Sequence, residues 1–146
     1  MGSPYDSAMK TIRPFTHAVD RLNAAGLRPT RQRLALARLL FEDGNRHITA
    51  EQLHREATEG GVKVSLATVY NTLNQFTEVG LLREVAVEAG RAYFDTNATA
   101  HHHFFNDDTG ELLDIPGDSV VLSSLPDVPE NMVIGAIDVV VHIRNK

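Results

Sequence analysis

The sequence predicts an α+β fold, with an N-terminal winged helix-turn-helix domain followed by a smaller, strand-rich second domain. Three observations support this fold class. Apolar residues recur at helical spacing through most of the first 80 residues, the pattern then changes to two-residue alternation, and short runs of Val, Ile and Leu follow residue 97. The chain has 146 residues and a hydrophobic content of 42%, which suits one domain or two very small ones.

Four segments of the first half have the helical pattern and begin or end at residues that favour helix boundaries. They are residues 16–25 before Gly26, the segment between Thr30 and Gly44, the segment between Thr49 and the pair Gly60-Gly61, and the segment that opens at Ser65. Thr30 is a favourable N-cap, and Thr49 with Gln52 has the spacing of a capping box. In the last segment, the pattern predicts a buried apolar stripe formed by Leu66, Val69, Leu73 and Phe76.

The stretch "LLREVAVEAGRAYFDT" alternates apolar and polar residues and bends at Glu88-Ala89-Gly90, which predicts a β-hairpin. Helices followed by a two-stranded ribbon are the plan of a winged helix-turn-helix, in which the Ser65 helix takes the recognition position. We therefore place the first domain at residues 1–95.

The second half, residues 96–146, contains four strand candidates, which are "HHHFF", "ELLDI", "SVVLSSL" and "MVIGAIDVVVHI". Pro126 and Pro129 limit any helix in this half to a short one. Roughly 50 residues with few strands cannot bury both faces of a sheet, so we expect this half to pair with a second copy of the chain. A homodimer also suits a helix-turn-helix protein that reads two half-sites.

Charge is distributed unevenly along the chain, although the net charge is only −5. Residues 10–38 hold seven basic residues against one acidic residue, whereas residues 97–146 hold two basic against eight acidic residues. Such asymmetry indicates that one half of the chain meets a polyanion.

The polar face of the Ser65 helix, with the basic stretch before it, is a candidate surface for double-stranded DNA. Small hydroxyl residues at a helix start suit phosphate contacts, Tyr and Asn reach base edges, and an arginine in the turn "GLRPT" can enter a minor groove. The candidates are Arg28, Thr30, Arg31, Arg33, Ser65, Thr68, Tyr70 and Asn71. The alternative is a solvated polar face, which any amphipathic helix has.

The chain has no cysteine, which excludes disulfides and thiolate metal sites. A metal would have to be bound by His, Asp, Glu or water, and such ligands suit Fe, Mn, Zn or Ni. No apolar run reaches the roughly 18 residues of a membrane span, and the N-terminus lacks the apolar region of a secretory signal. We therefore expect a cytoplasmic protein without a membrane partner.

The stretch "TNATAHHHFFNDDTGELLDIP" places His101, His102 and His103 in a row, with acidic residues nearby. His-rich tracts are a recurrent metal-binding composition, although a chance run on a solvated loop has the same appearance. The triplet alone leaves both interpretations open.

From about residue 17 to residue 143, the chain closely resembles the ferric uptake regulator family. The resemblance is carried, in order, by "GLRPTRQR", "RHITAEQLH", "SLATVYNTLNQFTEVGLL", "YFD", and "HHHF" with "GELLDI". It implies a homodimeric, metal-responsive transcription regulator, not an enzyme, with a winged-helix domain and a C-terminal α/β dimerisation domain.

The resemblance also implies a sensory site for one divalent ion per subunit, Fe(II), Mn(II) or Zn(II), in the hinge between the two halves. The ligands it implies are His47, Asp95, His101 and His103, with Asp114 as a fifth ligand found in some branches. In an extended strand, His101 and His103 point to the same face, while His102 points away. An ion that bridges both halves would set the spacing of the recognition helices across the dimer.

The chain departs from the family pattern at positions that bear on zinc and on operator choice. Asn106 and Thr109 stand where many members have the cysteines of a structural zinc site, so we expect no such zinc. Asn71 replaces the arginine that usually follows the recognition tyrosine. The two prolines are expected to shorten the long helix of the dimerisation domain.

The segments "HHHFF", "DIP", "LPDVPE" and "IDVVVHIRNK" look most like the iron response regulator branch of alphaproteobacteria. That branch senses haem status, so the resemblance implies a haem role for His101, His102 and His103, because imidazole is a good axial ligand. The leading hypothesis is a regulator of iron and haem homeostasis genes that binds AT-rich operators as a dimer or higher oligomer.

Three alternatives stay open. A peroxide-sensing or manganese-sensing member of the same family would use the same ligands. A metalloenzyme built on Asp95, His101 and His103 would leave the basic N-terminal half unexplained. An interaction module whose winged helix binds protein would lack a steep salt dependence of DNA affinity.

Overall fold

The computed structural model describes residues 16–88, 90–99 and 101–146 of the chain. It has the predicted α+β character, with helices and two three-stranded sheets. The chain divides into two compact units, of which the first ends at Ala98 and the second covers Thr99–Lys146. Residues 1–15, which we assigned to the first domain, and Ala89 in the predicted bend lie outside the described residues.

The helices of the first unit are α1 (Thr16–Ala24), α2 (Arg31–Phe41), α3 (Ala50–Glu59) and α4 (Leu66–Glu78). All four predicted helical segments are confirmed. The side chains of Thr30, Thr49 and Ser65 each accept a hydrogen bond from the backbone N–H three residues later. A cap of this kind stabilises a helix by about 1 kcal/mol, which explains why these residues mark the helix starts. Among the described residues, no helix combines the length and the apolar character needed to cross a membrane.

The first sheet contains β1 (His47–Ile48), β2 (Arg83–Glu88) and β3 (Arg91–Asp95), in the order β1-β3-β2. The β2–β3 hairpin is confirmed, and Gly90 in its turn has φ +73°, a left-handed conformation that favours glycine. β1 was not predicted, because two residues are too few to show an alternating pattern. It pairs antiparallel with β3, and this register sets His47 opposite Asp95.

The helices pack around a buried apolar cluster that includes Leu22, Leu36, Leu53, Leu73 and Phe76. The predicted stripe of α4 is buried at Val69, Leu73 and Phe76. The prediction of burial is wrong for Leu66, which is 37% exposed. Leu66 is the first residue of α4, and burial begins one turn later at Val69.

The second unit contains β4 (His103–Asn106), β5 (Leu112–Asp114) and β6 (Val140–Ile143). β4 is central, antiparallel to β5 and parallel to β6. The strand candidates "HHHFF" and "ELLDI" are confirmed in part of their length, as is the end of "MVIGAIDVVVHI". Between β5 and β6, the described residues contain a short 3-10 turn (Gly117–Ser119) and no α-helix.

The strand predictions for "SVVLSSL" and for residues 132–139 are wrong. Several apolar side chains of this connection are exposed, with Val121 at 83% and Val133 at 90%. Strand propensity reflects packing on a half-buried sheet, and within the described chain these residues have no neighbouring strand to supply that environment.

Local hydrogen bonds hold the β4–β5 turn at the positions where the family resemblance places zinc-binding cysteines. Oδ1 of the buried Asn106 accepts bonds from the backbone N–H groups of Asp108 (2.9 Å) and Thr109 (3.1 Å). Nδ2 of Asn106 donates to Oδ1 of Asn145 at 3.0 Å, which ties the turn to the residues after β6. Hydrogen bonds of polar side chains therefore hold this turn.

Arg46, directly before β1, links three elements of the first unit. Its guanidinium donates to both carboxylate oxygens of Glu56 on α3, at 2.8 and 2.7 Å, and to the backbone oxygen of Leu39 on α2 at 3.1 Å. Its backbone N–H donates to Oγ1 of Thr96 after β3, at 2.8 Å. The hydrogen bond from Arg46 lowers the pKa of Glu56. This network holds the short β1 in place.

We expect Glu56→Gln to lower the free energy of unfolding by about 1–2 kcal/mol, because the amide loses the charge-assisted bonds to Arg46. Glu88→Gln is the matched control, since Glu88 pairs with Arg91 where both side chains are largely exposed, and such pairs contribute little. Urea denaturation near neutral pH measures both variants. Equal losses of unfolding free energy in the two variants would contradict a stabilising role for the Arg46–Glu56 pair.

The pH dependence follows from the lowered pKa of Glu56. A carboxylate with a lowered folded-state pKa stabilises the fold above its unfolded pKa, which is about 4.3 for glutamate, and this contribution disappears as the pH falls through the folded-state value. The difference in stability between wild type and Glu56→Gln should therefore shrink in acid.

Candidate metal ligands and DNA-binding surface

In the first unit, strand pairing joins two of the predicted ligands. The β1–β3 register places His47 against Asp95, with Nε2 of His47 3.0 Å from Oδ2 of Asp95. The Asp95 side chain is 1% exposed, and its Oδ1 accepts a bond from the backbone N–H of Asn97 at 2.9 Å. A buried carboxylate is costly unless it is paired or binds a cation, and this one faces an imidazole.

In the second unit, three predicted ligands come together. The β4–β5 register sets His103 opposite Asp114. Nε2 of His101 lies 3.1 Å from Oδ1 of Asp114, and Nε2 of His103 lies 3.3 Å from the same oxygen. The two imidazole rings are 4.5 Å apart between centroids. Two nitrogens and a carboxylate therefore converge within 4.8 Å of one another.

A hydrogen bond at Nδ1, the other ring nitrogen, orients the imidazole of His101. Its Nδ1 lies 2.6 Å from the backbone oxygen of Thr99. A carbonyl oxygen only accepts, so Nδ1 carries a proton and donates it to Thr99. Nε2 therefore faces the Asp114 carboxylate, an arrangement that a cation between the two groups would stabilise. A metal-bound histidine typically has the same Nδ1–H to carbonyl bond, so the donor set fits a divalent ion.

His102 does not join this cluster. The backbone N–H of Val139 donates to its Nδ1 at 3.0 Å, which leaves the ring proton on Nε2. The residue therefore helps to hold the chain that leads into β6. The alternation of side chains along a strand predicted that His102 points away from His101 and His103. Its hydrogen-bond partner, Val139, is distant in sequence and could not be predicted.

On α4, the predicted DNA-contacting side chains lie on the accessible side. Ser65, Tyr70 and Asn71 are exposed and Thr68 is half-buried. Oγ of Ser65 donates to Oγ1 of Thr68 at 2.9 Å and accepts from the Thr68 backbone N–H at 3.1 Å. The hydroxyl of Tyr70 donates to Oε1 of Glu51 on α3.

The basic candidates occupy different environments. Arg28 and Arg31 are exposed. Arg33 is half-buried, and its guanidinium donates to the backbone oxygen of Arg28 at 3.0 Å and to Oε1 of Gln75 on α4 at 3.3 Å. A polar cleft of about 230 Å³ lies here, and its lining includes the candidates Thr30, Arg33, Thr68 and Asn71.

The sequence analysis did not identify two residues of this surface, Gln75 and Glu51. Gln75 lies one helical turn after Asn71, so the spacing on α4 could have identified it. Glu51 is on α3, and no sequence pattern connects it to Tyr70.

Comparison with known proteins agrees with these features. The sequence model of the ferric uptake regulator family matches residues 24–130. The ferric uptake regulation protein of Shigella flexneri is 36% identical over 100 residues, which cover 68% of this chain and 68% of that protein.

Two solved structures have similar folds. The ferric uptake regulator from Pseudomonas aeruginosa with manganese has a TM-score of 0.64 at 28% identity, covering 88% of this chain and 98% of that chain. The ferric uptake regulator of Vibrio cholerae, described with a rearrangement of its DNA-binding domains, has a TM-score of 0.67 at 25% identity, covering 87% of this chain and 98% of that one. The chain therefore belongs to the ferric uptake regulator family of metal-responsive transcription regulators, and it is not an enzyme.

Proposed function

We propose that this protein is a cytoplasmic, metal-dependent DNA-binding regulator of iron and haem homeostasis genes. The observation that supports the proposal most directly is the convergence of His101 and His103 on Asp114, with Nδ1 of His101 bonded to the backbone oxygen of Thr99. The manganese-containing relative from Pseudomonas aeruginosa supports the same interpretation.

One divalent ion per subunit would be bound by His47 and Asp95 from the first unit and by His101, His103 and Asp114 from the second. Three imidazoles and two carboxylates form a donor set that suits Fe(II), Mn(II) or Zn(II). A bound ion would supply positive charge that neutralises the two carboxylates. Metal would change DNA affinity only by binding one arrangement of the two units better than another.

Residues 1–95 would form the DNA-binding domain. We assign Arg28, Thr30, Arg31, Arg33, Ser65 and Thr68 to the sugar-phosphate backbone or the minor groove. Tyr70 and Asn71, which are exposed on α4, would read base edges in an AT-rich operator. The negative charge of the DNA backbone would account for the concentration of basic residues before α4.

Residues 96–146 would form the dimerisation and sensing domain. The apolar side chains of Val121, Met132, Val133 and Ile134 are exposed in the single chain, and exposed apolar surface is a common feature of interaction sites. We propose that a second copy of the chain covers them in a homodimer, from which higher oligomers can assemble.

We further propose that the chain belongs to the iron response regulator branch of alphaproteobacteria and responds to haem through His101, His102 and His103. Haem iron takes imidazole nitrogens as axial ligands. Nδ1 of His101 donates to Thr99, so Nε2 is the nitrogen that would bind haem iron, whereas His102 would first have to give up its bond from Val139. Haem and the divalent ion would therefore compete for His101 and His103.

His103→Ala is expected to weaken Mn(II) binding at least tenfold, because the loss of even a supporting residue around a metal ligand costs about 10–100-fold. His142→Ala is the matched control, since His142 lies in the same sheet, exposed, and pairs with Asp107. Isothermal titration of metal-stripped protein measures both. His47→Ala should weaken Mn(II) binding by a similar factor, and an unchanged affinity in that variant would confine the site to the second unit.

DNA binding should depend on metal, haem and salt. Fluorescence anisotropy would follow metal-stripped protein on an AT-rich duplex, alone, with Mn(II), and with Mn(II) and haemin. Mn(II) should tighten binding by about 5–150-fold, the usual range of allosteric coupling. Haemin should release the DNA, and added salt should weaken binding steeply. Tightening by Mn(II) without any effect of haemin would exclude the haem response but keep the metal-dependent regulator.

A peroxide sensor is the second candidate, because the same histidines would hold Fe(II). In that case, peroxide added to the Fe(II)-loaded protein should place one oxygen atom on His101 or His103, and a Mn(II)-loaded sample should be unaffected. Mass spectrometry of proteolytic fragments separates the two candidates. Unmodified histidines after loss of DNA binding would count against peroxide sensing.

A further inference from the structure

We propose that Glu51 determines DNA sequence specificity, by binding the hydroxyl proton of Tyr70 and presenting the tyrosine to DNA as a hydrogen-bond acceptor. The inference rests on the proposed DNA-binding function. It adds a residue that lies outside α4 and outside the basic stretch.

The contact joins two helices. Glu51 is in the first turn of α3, and its Oε1 accepts the hydrogen bond from Oη of Tyr70 on α4. Tyr70 is 40% exposed, so the pair lies on the accessible side of α4. This bond lowers the pKa of Glu51 and raises the pKa of Tyr70. At neutral pH the pair therefore consists of a carboxylate and a protonated phenol.

The bond changes what the tyrosine can offer to a base. A phenol has one proton, and here that proton is given to Glu51, so Oη retains only its acceptor capacity. A carboxylate is also an acceptor only. In the major groove, adenine N6 and cytosine N4 are donors, whereas guanine N7 and O6 and thymine O4 are acceptors. The pair therefore favours an adenine or cytosine edge over a guanine edge.

The charge of Glu51 acts in the same direction. Non-specific binding depends almost entirely on attraction to phosphates, and a carboxylate beside the contact surface weakens that attraction. A correctly placed amino group compensates by donating a hydrogen bond. Glu51 would thus increase the difference between specific and non-specific affinity without adding total affinity.

A purely structural role is the competing explanation. Acidic residues stabilise the first turn of a helix, and Arg55 lies one turn later in electrostatic range of Glu51. Glu51→Gln separates the two roles, because the amide oxygen still accepts from Tyr70 while the charge is removed. Glu59→Ala, at the last residue of α3, removes a carboxylate from the same helix and serves as the control.

The test uses the full-length protein with Mn(II) and a short duplex that wild type has enriched from a random pool. Anisotropy at one salt concentration gives the ratio of affinities for this duplex and for a scrambled duplex of equal composition. The variants are Glu51→Ala, Glu51→Gln, Tyr70→Phe, the double variant Glu51→Ala with Tyr70→Phe, and Glu59→Ala. Thermal unfolding checks that each variant is folded.

We expect Glu51→Ala to lower the specificity ratio about tenfold, within the range of one good base contact, and to tighten binding to scrambled DNA. Glu51→Gln should show the same tightening on scrambled DNA but a smaller loss of the ratio than Glu51→Ala, because the amide oxygen still accepts the Tyr70 proton and only the charge is removed. In the Tyr70→Phe background, Glu51→Ala should have little further effect on the ratio.

Two results would overturn the proposal. They are an unchanged ratio in Glu51→Ala, and an equal loss of ratio with and without the Tyr70 hydroxyl. A wild-type protein that enriches no sequence would instead overturn the proposed DNA-binding function itself, so the two failures are distinguishable.

Discussion

Strand register is the constraint on which both groups of candidate metal ligands depend. The β1–β3 pairing sets His47 opposite Asp95, and the β4–β5 pairing sets His103 opposite Asp114. Successive side chains of a strand alternate between two faces, so a slip of one residue in either pairing would move one partner to the opposite face. The ligand chemistry therefore depends on backbone hydrogen bonds as much as on the identity of the side chains.

β1 has only two residues, and a pairing of that length is weak by itself. The neighbouring Arg46 compensates, because it exchanges backbone and side-chain hydrogen bonds with Thr96 and binds the carboxylate of Glu56 on α3. The stability of the helical core and the presentation of His47 are thus parts of one network.

Two accessible surfaces of the described chain differ in their chemistry. The accessible side of α4 carries Tyr70 and Asn71 next to the polar cleft around Arg33. The connection between β5 and β6 leaves large apolar side chains in solvent. Their chemistry differs, since the first is polar and suits DNA, and the second is apolar and suits another protein surface. Each unit therefore exposes a surface matched to a different partner.

The sequence by itself determined the helix starts, the hairpin turn and the absence of thiolate metal sites, because capping hydroxyls, a turn glycine and residue composition act locally. The resemblance to a family implied that His47, Asp95 and Asp114 are metal ligands together with His101 and His103. No local sequence pattern indicated this. Only the tertiary structure decided the partners of His102 and Tyr70, the exposure of Leu66 and the loss of the "SVVLSSL" strand. Each of these depends on a neighbour that is distant in the chain, and strand propensity is realised only where such a neighbour provides a pairing edge.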